Sequence, residues 1–118
     1  MQNMDSYSAE VIFASVREAL PLWQPKLKAV VIMCIDGEDW LCDGKMGIVE
    51  KANGAIPSNA ELTVTMSLST FQELMDKQLT AQQAFMKGKL KVKGNMGLAM
   101  KLTTVIGAAQ KYLPKSKL

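Results

Sequence analysis

FMKGKLKVKGNMGLAMKL, running from Phe85 to Leu102, is the stretch on which the reading of this chain turns. From Lys89 to Lys93 lysine alternates with Leu90 and Val92, the pattern of an exposed strand with one dry face. Gly94 and Asn95 then turn the chain, and Asn95 is placed to cap a helix by accepting from its first-turn N–H groups. The helix that follows is apolar on nearly every side at its start. Leu98 and Leu102 begin one stripe that continues through Val105, Ile106, Ala109 and Leu113, while Met96, Met100 and Gly107 form a narrower one almost opposite. Pro114 is expected to end it. One stripe can pack on a sheet; the other needs a second apolar object.

Working outward toward the N-terminus, Gly88 closes a short helix opened by a capping box at Thr80 and Gln83. A second box at Ser69 and Gln72 opens another, and the inward faces of the pair are expected to be Phe71, Leu74, Met75, Ala84 and Phe85. Before them Leu62, Val64 and Met66 alternate with Thr63 and Thr65, a half-buried strand that follows a loop from Asn53 to Asn59. Ala29 to Ile35 has no polar face and reads as a central strand covered on both sides. Asp36-Gly37 and Asp43-Gly44 are hairpin turns, so Glu38–Cys42, which holds Trp40, and Lys45–Lys51 are the next strands of a meander. Nearer the start, Ala9, Ile12, Phe13, Val16 and Leu20 repeat at helical spacing, with Ser6 or Ser8 as cap and Pro21 as stop. The order of elements gives an α+β fold with a single five-stranded mixed sheet covered by helices on one face.

Composition narrows the chemistry. At 118 residues the chain suits one domain. Histidine is absent, so the commonest general base and metal ligand are missing, and no nucleophile has a recognisable base partner. A two-residue turn at Asp36-Gly37 sets Cys34 opposite Asp39 and not Cys42, which argues against a disulfide, and two thiols make no zinc site. The net charge of +3 is too small to indicate nucleic acid. No apolar run is long enough to span a membrane and no secretory signal is apparent, so a soluble, intracellular protein is expected. Nine methionines against seven aromatics mark an interior able to accept several shapes. No metal or cofactor is called for.

The run GKLKVKGNMGLAMKL, with QQAFMK before it and ELTVTMSLSTFQELM from Glu61, resembles the sterol carrier protein type 2 family of nonspecific lipid-transfer proteins. The similarity is dense from Glu61 to Leu102 and weaker but collinear from Ser8 to Lys51, where Trp40 falls on a family tryptophan in the second strand. The segment TTVIGAAQKYLPK departs from the family pattern. The resemblance implies a hydrophobic tunnel between sheet and helices that takes a fatty acid, fatty acyl-CoA, sterol or phospholipid. It makes Trp40, Phe71, Leu74, Met75, Phe85, Met96, Leu98, Met100, Leu102 and Ile106 candidate wall residues, and Gln82 a candidate partner for the ligand's polar end.

The expected function is therefore a noncatalytic lipid carrier; the competing reading is an interaction or scaffolding module whose methionines fill the core. Lys87, Lys89, Lys91 and Lys93 either protect a sheet edge from pairing or touch a membrane surface transiently. The last three residues, Ser116-Lys117-Leu118, spell a peroxisomal targeting tripeptide, read by an import receptor from a free C-terminus. Residues 1–113 are accordingly read as one lipid-binding domain and 114–118 as a flexible tail that carries the signal.

Overall fold

The computed structural model describes residues 7–53, 57 and 59–114. Ser6, part of the 53–59 loop and the Ser116-Lys117-Leu118 tripeptide lie outside the described residues. The elements are α1 (Ala9–Glu18), α2 (Leu20–Trp23), β1 (Val30–Ile35), β2 (Glu38–Asp43), β3 (Ile48–Lys51), β4 (Leu62–Met66), α3 (Leu68–Met75), α4 (Ala81–Met86), β5 (Leu90–Gly94), α5 (Met96–Ala99) and α6 (Leu102–Gln110).

The five strands form one mixed sheet in the order β3-β2-β1-β4-β5, with β1 and β4 parallel and the other neighbours antiparallel. β1 is central, as its unbroken apolar sequence requires, and Val30 to Met33 are all buried. Asp36 and Gly37 both have positive φ, the conformation of a two-residue hairpin turn, and Cys34 pairs with Asp39. Both cysteines are free. One sheet face carries Val31, Met33, Ile35, Trp40, Cys42, Val49, Leu62, Val64, Met66 and Leu90, and these join the helices in a single core. The alternate positions, including Thr63, Thr65, Lys91 and Lys93, point to the opposite face.

In that core Phe13 of α1 stacks on Trp40, with centroids 4.3 Å apart and planes 10° from parallel, and meets Phe71 of α3 at 5.2 Å. Such pairs add about 0.5–1.5 kcal/mol beyond the area they bury. The Nε1–H of Trp23 donates to the Val16 carbonyl at 2.8 Å, whereas the Nε1–H of Trp40 is buried without a hydrogen-bond partner. Arg17 donates to the Val49 carbonyl through Nη2 at 2.6 Å, fastening α1 to the β3 edge. Between β1 and β4, the Glu61 carboxylate accepts from the Val30 N–H at 3.1 Å and pairs with Lys45. The Val30 N–H and then Lys45 hold its pKa below the usual carboxylate value.

The two ends of the described chain meet. α6 packs on α1, the Ser15 hydroxyl donates to the Tyr112 carbonyl, and the Tyr7 hydroxyl donates to the Pro114 carbonyl at 3.0 Å.

Four boundaries differ from expectation. Pro21 does not stop α1, which ends at Glu18; it lies in the first turn of α2, where its missing N–H costs nothing. The Asp43-Gly44 turn is a four-residue loop, because the Asp43 carboxylate accepts from the N–H groups of Lys45 and Met46, so β3 starts at Ile48 and not Lys45. Ser67, not Ser69, caps α3, and the Gln72 side chain instead donates to the Tyr7 carbonyl at 2.7 Å. The last helix is interrupted after Ala99, resumes at Leu102, and ends at Gln110, before Pro114.

Candidate functional site

Helix α3 ends at Met75, and Lys77 follows with φ of +63°, turning the chain so that Leu79 and the capping box of Thr80 and Gln83 launch α4 across from α6. Between them opens a groove of about 230 Å³, lined by Leu74, Lys77, Leu79, Thr80, Ala81, Thr103, Ile106, Gly107 and Gln110. Its walls are more apolar than polar, and it is open to solvent. One polar clasp crosses it, where Gln110 donates through Nε2 to the Leu74 carbonyl at 2.8 Å. Gly107 faces open space: a Cβ built there meets no atom within 4 Å.

The expected wall residues divide into three groups. Leu74 and Ile106 line the groove. Trp40, Phe71, Met75 and Leu102 are buried in the core, and Leu98 is half-buried against it. Phe85, Met96 and Met100 are exposed, as is Gln82. Phe85 was expected to face inward beside Ala84; only Ala84 is buried, because α4 is a single short helix that rests on β5 through its small residue. Phe85 stands one turn after Ala81 on the same side of α4, and Met100 lies in the break between α5 and α6, where its carbonyl accepts from the Thr103 hydroxyl at 3.1 Å. Neither belongs to the groove's lining as it stands.

Thr103 and Gln110 were not singled out from the sequence. The signal was there: they fall on the stripe begun by Met96, Met100 and Gly107. A stripe containing a Thr and a Gln reads as solvated unless an apolar wall is known to oppose it.

The two thiols lie outside the groove, and neither is activated. Burial pushes the Cys42 thiol up to about 12, and burial with the neighbouring Asp39 raises Cys34. Both stay protonated near neutral pH, the unreactive form of a thiol. Among the described residues no three His, Cys, Asp or Glu side chains gather as a metal site, and no helix is long and apolar enough to cross a membrane.

A small mixed sheet, helices on one face and an apolar groove between the outer helices and α6 together define an α+β domain with an apolar cleft between its helices. The chain belongs to the SCP-2 sterol transfer family, whose model matches residues 23–107. It is 34% identical over 107 residues to the peroxisomal multifunctional enzyme A of Dictyostelium discoideum, a match covering 84% of this chain and only 24% of that protein. It is 31% identical to a fatty acid-binding protein of Yarrowia lipolytica, covering 94% of this chain and 98% of the relative. Among solved structures, palmitated SCP2L2 from Aedes aegypti superposes with a TM-score of 0.70 at 26% identity, over 85% of this chain and 95% of that one.

Proposed function

We propose that this protein is a noncatalytic carrier that holds the apolar part of a fatty acid, fatty acyl-CoA, sterol or phospholipid between α3–α4 and α6, and that it works in the peroxisome. The observation that carries the reading is the groove itself, with apolar walls and open to solvent between α3–α4 and α6. An acyl chain laid there would widen the groove into the tunnel expected for this family. The present volume of about 230 Å³ is below the ~300–1,000 Å³ usual for ligand pockets, so widening is required. Burying sixteen carbons at ~0.8 kcal/mol each yields roughly 12 kcal/mol gross, before ordering costs and the competing pull of membranes are subtracted. The net affinity is modest and the specificity broad, since one methylene more or less changes little in an apolar site. The absence of histidine and the protonated thiols support a noncatalytic role. A peroxisomal setting is supported by the name of the Dictyostelium relative and, where Leu118 is a free C-terminus, by Ser116-Lys117-Leu118 acting on an import receptor.

The second reading, an interaction module with a filled interior, has its own observation: Phe13, Trp40 and Phe71 already occupy the space between the layers. Titration of the delipidated protein with a fluorescent fatty acid separates the two. The carrier shows saturable uptake, and Gly107→Leu, which projects a side chain into the open groove while favouring the helix, abolishes uptake without loss of stability. No saturable uptake by the parent protein, or uptake unchanged in Gly107→Leu, would sink the carrier reading or the groove as its site, respectively.

A further inference from the structure

Charge is segregated along this chain. Residues 1–76 hold all eleven acidic side chains against five basic ones, a net of −6, while residues 77–118 hold nine lysines and no acid, a net of +9. Within the basic part lie four large apolar side chains exposed to solvent: Phe85 at 49%, Met86 at 75%, Met96 at 52% and Met100 at 77%. They lie at the end of α4, in α5 and directly after it; both helices pack against β5, and β5 is an edge of the sheet. Met96 and Met100 are four residues apart and share one side of the helical turn. Lys89 is spoken for by Glu73, but Lys87, Lys91, Lys93 and Lys101 have no ion pair among the described residues.

We propose that this β5 edge docks edge-on to an anionic phospholipid bilayer, with Phe85, Met86, Met96 and Met100 entering the interface from the helix side, Lys87 and Lys101 meeting lipid phosphates beside them, and Lys91 and Lys93 reaching phosphates from the opposite face of the same edge strand. Charge complementarity favours a bilayer: residues 77–118 supply lysines and no acid, and Glu73, the carboxylate that reaches into this region, is paired with Lys89, so the surplus charge suits an anionic surface. Methionine and lysine suit it too, because flexible side chains enter a fluid interface at little cost while the ammonium groups stay at headgroup level. The inference goes beyond the carrier reading and stands without it, since a protein with a filled interior can dock in the same way.

The test is co-sedimentation with vesicles of phosphatidylcholine alone or with about one third phosphatidylserine. The full chain should bind the anionic vesicles, release at high salt, and bind neutral ones poorly. At about fivefold per lysine near a charged surface, the combined variant Lys87→Gln, Lys91→Gln, Lys93→Gln, Lys101→Gln should lose roughly several hundred-fold in affinity. Its uptake of a fluorescent fatty acid from solution should be unchanged, so that failure of docking and failure of the carrier reading are told apart. Insertion is read from an environment-sensitive dye on Met86→Cys in a Cys34→Ser background. It should shift to the blue on anionic vesicles, whereas the same dye on Met46→Cys, equally exposed in the β2–β3 loop, should not. Equal binding to neutral vesicles, an unaffected lysine variant, or the same response from both dyes would overturn the proposal. So would a concentration-dependent dimer that shields the Met86→Cys dye without vesicles, which assigns the surface to a second copy of the chain.

Discussion

Trp23 and Trp40 are both buried, yet one indole N–H has a partner and the other does not. Trp23→Phe strands the Val16 carbonyl and opens a gap, while Trp40→Phe opens a comparable gap but removes a donor that burial already leaves unsatisfied. The first should therefore cost about 1–3 kcal/mol more than the second, measured from urea midpoints at constant m. Equal costs would mean that the Trp40 N–H is satisfied after all. At this scale the sequence was legible where one residue's chemistry is self-contained. The Asp36-Gly37 turn set Cys34 against Asp39 because positive φ at both residues leaves a single register. It misled where a side chain had two possible partners. Gln72 completes a capping box on paper with Ser69, but its amide is drawn into the interior by the Tyr7 carbonyl, and Ser67 does the capping.

Among the elements, β5 shows how closely its position is determined. Gly94, at its end, has φ of +117°, and a Cβ there would lie 2.5 Å from the Glu61 carbonyl oxygen. Gly94→Ala should destabilise the protein by about 2 kcal/mol or more, because strain and a backbone clash act together at the β4–β5 pairing. Gly107→Ala, inside α6 and facing open space, should stabilise it by up to about 1 kcal/mol. Denaturant titration of the two variants reads both signs. Strands and helices with strong periodicity were legible, and β5 and α6 were placed by theirs. The break between α5 and α6 was not, since nothing in Met100-Lys101 differs from a good helix former; the two pieces pack on different partners, α5 on β4 and β5 and α6 on α1, α2 and α3, which periodicity along one helix does not show. The exposure of Phe85 was hidden for the same reason, because helical spacing gives a side and not what lies opposite it.

At the scale of the whole molecule, a carrier must couple occupancy to stability. A lipid that binds only the folded chain adds about 2.7 kcal/mol at a hundredfold excess over its Kd, which for a domain of this size raises Tm by roughly 10 °C or more. Calorimetry of delipidated protein with and without a long-chain fatty acid measures the shift, and a module with a filled interior shows none. The meeting of the two chain ends acts on a different quantity, time. The apolar face of α1, with Ile12, Phe13 and Val16, is synthesised first, while α6, which packs on it, is synthesised last, and the Tyr7–Pro114 hydrogen bond spans 107 positions. On the ribosome α1 can meet Trp40 and β3 early, but the side of it that packs on α6 must wait for nearly the whole length of the domain. Closure is thus a late, non-local event, and the nascent chain is most open to aggregation, and most in need of a chaperone, just before its final helix emerges.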